Sequence, residues 1–72
     1  MNSYLIQSPN IIYIGYDEVD QVLEIEFKLN VIHQYFDVPL DEFVELMKAE
    51  DTEEFYFNFI NCRYHYDTFD NA

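Results

Sequence analysis

The sequence is poor in several of the features that assign a chain to a class. It has one cysteine, Cys62, so no intramolecular disulfide can close, and no basic segment followed by an apolar stretch opens the chain. A secreted, disulfide-stapled domain is therefore not expected, and the cytoplasm is the expected address. It has one glycine, two prolines and no tryptophan, which excludes a Gly- or Pro-rich disordered or fibrous chain. No window approaches the roughly 20 apolar residues that a membrane-spanning helix needs. Positive charge is scarcest in proportion: Lys28, Lys48 and Arg63 stand against 15 Asp and Glu, for a formal net charge of -12. So few cations leave little with which to hold a phosphate backbone.

What the chain does have is aromatic mass. Seven Phe and seven Tyr among 72 residues, with 50% hydrophobic residues, are enough for one small folded core and too little chain for two lobes around an active site. A single domain over 11–69 is expected, with 1–10 a leader or short edge strand and 70–72 a tail.

Hydropathy patterning orders the elements as an α+β domain. Ile11 to Tyr16 is β-branched and aromatic, and Asp17-Glu18-Val19-Asp20 follows it with turn chemistry. Val22 to Lys28 alternates, Leu23, Ile25 and Phe27 on one face and Glu24, Glu26 and Lys28 on the other. Leu29-Asn30 offers a turn, since Asn tolerates positive φ, and Val31 to Asp37 completes a three-stranded antiparallel β-meander. Two C-terminal helices are predicted to pack against it. Pro39 suits the first turn of one, with Asp41 and Glu42 at its positive end and Leu40, Phe43, Val44 and Met47 as its apolar stripe. Asp51-Thr52-Glu53-Glu54 resembles a capping box at the start of the other, from about Glu53 to Asn61. Phe55, Phe57 and Phe59 also alternate like a strand there, and propensity leaves both readings open. Arg63 to Phe69 reads as an extended tail.

With the elements placed, the sequence resembles the KTSC family, small domains that also occur at the C-terminus of some lysyl-tRNA synthetases. The resemblance is carried by Ser8, Asn10, Ile11, Ile14-Gly15-Tyr16-Asp17, Leu23-Glu24-Ile25-Glu26-Phe27, Tyr35-Phe36 and Val38-Pro39. Ala49, Phe55, Ile60, Tyr64 and Tyr66 follow at the family's spacing. It implies the meander-then-helices order, favours helix over Glu53–Asn61, and brings with it the RNA binding suggested for the family. Three departures stand out. His33 replaces the first Tyr of the family's Tyr-x-Tyr pattern, Glu53 replaces a usual Gly, and the last helix lacks the customary basic residues.

Chemistry on side chains finds little support. Cys62-x-x-His65 with His33 is too few ligands for a structural zinc site, so no metal or cofactor is expected and Cys62 reads as a small buried hydrophobe. No nucleophile, acid-base pair or nucleotide motif is recognisable, and the chain is read as a non-enzyme. Binding remains, and the charge directs it. The leading expectation is an acidic protein-interaction module for a basic protein, an inhibitor seated on the nucleic-acid-binding surface of a processing enzyme, such as a phage or mobile element would encode. Duplex DNA carries about one charge per 1.7 Å of axis, which a row of carboxylates could imitate. Glu24, Glu26, Asp41, Glu42, Glu45, Glu53 and Glu54 would supply the charge, Tyr35 and Tyr64 the aromatic anchors. The alternative is single-stranded RNA, stacked on Tyr13, His33 and Tyr35 with Lys28 and Arg63 on phosphates. A third reading is a self-associating homo-oligomer built on an uncovered Tyr-rich sheet face.

Overall fold

The computed structural model of the chain describes residues 2–70. Met1, and Asn71 and Ala72 of the expected tail, lie outside the described residues. The order is β1 (Asn2–Leu5), β2 (Ile11–Asp17), β3 (Val22–Phe27), β4 (Val31–Tyr35), α1 (Leu40–Lys48), α2 (Thr52–Phe55), a π-helical turn (Tyr56–Ile60) and β5 (Tyr66–Asp70). The strands form one antiparallel sheet in the order β1-β2-β3-β4-β5. The sheet thus has five strands where the hydropathy pattern predicts three. The N-terminal segment is an edge strand on β2, and most of the expected extended tail pairs with β4, Tyr35 opposite Tyr66 and Val31 opposite Asp70. A four- or five-residue edge strand shows one exposed face and carries too few alternations to register as a pattern.

Local chemistry explains the turns. Asp17 Oδ1 accepts the backbone N–H groups of Val19 at 3.0 Å and Asp20 at 3.2 Å, an Asx turn that reverses the chain between β2 and β3. Between β3 and β4, Leu29 and Asn30 both take positive φ, 72° and 62°. Asn accepts that conformation readily, whereas the Leu Cβ crowds the following carbonyl at a cost of about 1–2 kcal/mol.

Alternation along each strand gives the sheet two unlike faces. One is covered by the helices and holds the core: Ile14, Tyr16, Leu23, Ile25 and Tyr35, with Ile11, Val38, Leu46, Tyr56 and Ile60 closing over them. Tyr16 fixes the start of α1, stacking on Phe43 with ring centres 4.6 Å apart and donating its hydroxyl to the Val38 carbonyl at 2.5 Å. Pro39 is the extended N-cap of α1, one residue ahead of its first turn, and accepts from Glu42 and Phe43 through its carbonyl. The core residue of α1 is Leu46, which the predicted stripe omits, while Leu40 at the head of that stripe is exposed. Phe43 and Met47 flank Leu46 at three- and one-residue offsets, so the buried stripe is centred one turn later than the pattern implies.

Asp51 caps α2, its side chain accepting the Glu54 N–H at 3.1 Å. The helix then widens: the Asn61 N–H bonds the Tyr56 carbonyl at 2.9 Å, a five-residue step. Within it Tyr56 and Ile60 face the core and Phe57 and Phe59 face outward. The ambiguity over Phe55, Phe57 and Phe59 thus resolves as helix, with only part of the phenylalanine series buried.

Candidate functional site

Among the described residues no helix lies over the other sheet face. The pairing registers set two continuous rows across all five strands. The first is Leu5, Tyr13, Glu26, Ile32 and Phe69; the second is Ser3, Gly15, Glu24, Gln34 and Asp67. Directly opposed residues share a face, so four apolar side chains and one carboxylate lie beside a row of polar groups. Leu5, Tyr13 and Phe69 are 69%, 42% and 47% exposed. Gly15 contributes no side chain to the second row, and the gap becomes a hollow of about 300 Å³ bordered by Ser3, Tyr13, Glu24 and Glu26. Gln34 Nε2 donates to Glu24 Oε1 at 2.9 Å and holds that carboxylate beside the hollow. An aromatic ring next to two carboxylates suits a cationic side chain, which can stack on the ring while it pairs with the acids.

The expected charge residues do not form one patch. Glu24 and Glu26 lie on the bare sheet face. Asp41, Glu42 and Glu45 are on α1, where Glu42 is engaged by Arg63 at 3.6 Å and by the Tyr64 hydroxyl at 3.4 Å. Glu53 is turned inward onto the backbone, where its carboxylate accepts the N–H groups of Asn10 and Ile11, the latter at 3.1 Å, and Asn10 Nδ2 at 3.3 Å. It clasps α2 to the entry of β2. Among the described residues the side chains of Asp41, Glu45 and Glu54 make no hydrogen bond and remain outward.

The aromatic assignments need correction. Tyr35 is fully buried and offers no surface, either as a protein anchor or as a base-stacking ring. Tyr13 lies on the bare face whereas His33 and Tyr35 point into the covered one, so the three rings do not form a common platform. Tyr64 is half-buried against Glu42. Lys28 is exposed in the β3–β4 turn, and Arg63, committed to Glu42, is not grouped with it. Cys62, expected in the core, is exposed. Among the described residues no group of three His, Cys, Asp or Glu is placed to hold a metal ion, and no helix is long and apolar enough to cross a membrane.

Tyr35 belongs instead to a hydrogen-bonded relay that the sequence does not signal. His33 Nδ1 lies 3.1 Å from the Tyr35 hydroxyl, which lies 2.5 Å from the Tyr56 hydroxyl, which donates to Asn61 Oδ1 at 3.2 Å. Each hydroxyl has one proton. Tyr56 gives its proton to Asn61, so Tyr35 donates to Tyr56 and accepts from His33, which therefore carries its proton on Nδ1. Burial raises the pKa values of both tyrosines, and the hydrogen bond from Tyr35 works in opposite senses on the two, raising Tyr35 and lowering Tyr56. Burial also lowers that of His33, which stacks on Tyr66 at 4.8 Å. A strand places residues two apart on one face, so the x-separated pair His33 and Tyr35 reaches the helix together. Asn61 holds Tyr56 twice, by backbone and by side chain, which gives the π turn a purpose: it brings residues five apart into register.

A single sheet of five strands, with its helical excursion before the last strand and one face left bare, defines a small α+β domain with room for binding on that face. The chain belongs to the KTSC domain family, whose model matches residues 7–64. The fold is similar to that of a KTSC domain protein from Yersinia pestis, known from its crystal structure, with a TM-score of 0.89 at 26% sequence identity, covering 94% of this chain and 96% of that one. No curated protein matches the sequence.

Proposed function

We propose that the chain is a non-enzymatic, acidic protein-interaction module that docks through its bare sheet face onto a basic surface. The observation that carries this reading is the pair of cross-strand rows, in which exposed Leu5, Tyr13 and Phe69 share a row with Glu26, and Tyr13 borders the Gly15 hollow together with Glu24 and Glu26. Apolar rings beside carboxylates form the kind of mixed patch in which desolvated contacts supply affinity and complementary charge supplies orientation. A net charge of -12 speeds encounter with a cationic partner and repels nucleic acid. The partner class that this favours is a basic nucleic-acid-processing enzyme, inhibited because its groove is filled.

The test is affinity capture from host lysate at low salt, with and without nuclease, followed by binding of the purified candidate. A basic enzyme that is retained after nuclease treatment, is released by salt and binds E24K/E26K about tenfold or more weakly would support the reading. Capture of RNA, or of proteins only while RNA is intact, would overturn it in favour of RNA binding. Light scattering that shows a stable dimer, which substitutions on the bare face such as E24K/E26K dissociate, would overturn it in favour of self-association.

A further inference from the structure

A second recess lies on the helix side, where the entry to β2 meets α2 and the π turn. It is about 470 Å³, and Phe27, Tyr56 and Phe57 supply apolar wall while Asp51, Glu53 and Glu54 supply carboxylates. None of its lining residues is Lys or Arg, and the one described ion pair, Arg63 with Glu42, involves none of them. Phe57 is 64% exposed at the rim, an unusual position for a Phe. Phe27 and Tyr56 meet edge to face with ring centres 5.5 Å apart, so they form a corner rather than a flat wall. Glu53 is pinned by the Asn10 and Ile11 N–H groups, so its negative charge is held in place before any ligand arrives.

We propose that this recess receives a lysine side chain and its apolar neighbour from a basic peptide segment of the partner. A lysine stem covers aromatic surface while its ammonium reaches the carboxylates, and the volume exceeds one such side chain, leaving space for an aliphatic neighbour. A neutral apolar ligand would bring no counter-charge to Asp51, Glu53 and Glu54, and an anionic one would be repelled. The inference deepens the proposed function and shares its sign of charge, but the recess lies on the opposite side of the sheet from the Gly15 hollow, so the two can be tested apart.

The test is amide NMR titration of the full chain with capped Lys-Leu-Lys, and with capped Lys-Ser-Lys as a probe of equal charge. The expected result is shifts centred on Asn10, Ile11, Glu54 and Phe57, and affinity for Lys-Leu-Lys about tenfold above that for Lys-Ser-Lys. F57S and E54Q, both at exposed positions that leave the core intact, should each weaken Lys-Leu-Lys severalfold, while E24Q/E26Q should not. Equal affinity for the two peptides, shifts centred on Gly15 and Glu24, or insensitivity to F57S would overturn the recess. Those same results would leave the bare sheet face standing, whereas partner capture that survives E24K/E26K but fails in F57S would do the reverse.

Discussion

The hydroxyls of Tyr35 and Tyr56 lie 2.5 Å apart in the core and join sheet to helix. Both belong to a directional chain, and either hydroxyl removed alone strands a neighbour. Y35F is expected to lower unfolding free energy by about 1–2 kcal/mol, because the His33 Nδ1–H loses its acceptor and Tyr56 its donor. Y56F should cost a similar amount. Y35F/Y56F should cost less than the sum, since removing both partners leaves fewer orphaned groups. Urea unfolding of the four proteins decides this, and strict additivity would contradict the relay. Four tyrosines, Tyr16, Tyr35, Tyr56 and Tyr64, have pKa values raised by burial. Their stabilising contribution is present below the ordinary tyrosine value and is lost as pH rises above it, so alkaline tyrosinate absorbance should show a late group that appears together with unfolding.

Glu53 is expected to behave unlike its neighbour. E53A removes a charged acceptor from two backbone N–H groups and should cost about 1.5–3 kcal/mol. E54A, at an outward-facing position, should stay within about 0.5 kcal/mol. Thermal or urea unfolding of the two variants separates them, and equal effects would show that the clasp contributes nothing.

Acid titrates the relay at its other end. Burial lowers the His33 pKa, so the folded state releases that proton more readily than the unfolded chain, and His33 favours folding while neutral. Its contribution is fully present above the unfolded value of about 6.5 and is lost as pH falls from there through the folded value. Protonation would also leave Nε2–H as an added charge beside Tyr66 and Phe27. Stability measured from about pH 7.5 down to about 5, in wild type and H33F, should fall more steeply in wild type over that window. Parallel curves would remove His33 from the account.

The β3–β4 turn contains a correctable conflict. Leu29 is 90% exposed and left-handed, so its side chain gains nothing from burial while its backbone is strained. L29N/N30G installs the pair that prefers two successive positive φ values and should raise stability by about 1 kcal/mol. Chemical denaturation is the measurement, with a loss of stability the contrary result.

Much of the covered face can be read from residue order. Leu23, Ile25 and Phe27 alternate against Glu24, Glu26 and Lys28, and the structure puts the first set against the helices. Asp51 announces its cap, and Asp17 its turn. The bare face is harder to find, because its two rows take two residues from each of five strands and exist only once registers are set. β5 eludes the pattern because Tyr66–Asp70 has the composition of a solvated segment and gains its structure from β4. The relay is hidden for a similar reason: Asn61 is an ordinary polar residue until a π turn brings it to Tyr56. Tyr35 reads wrongly as an anchor because tyrosine suits both a core and an interface, and composition weighs the two alike.

The connectivity also determines how the molecule assembles. Three hairpins link β1 to β4 through residues 6–10, 18–21 and 28–30, whereas β5 reaches its partner only across residues 36–65. Hairpins with such short loops close within about 1–10 μs, so four strands can zip in sequence from local encounters. The fifth must wait for a 30-residue closure, and loop-closure entropy grows with length. Tyr66, however, brings Tyr35 and His33 a third ring as it docks. The last strand to join is therefore the one that seals the relay, and its fraying would be the lowest-energy opening through which solvent could reach the tyrosine pair.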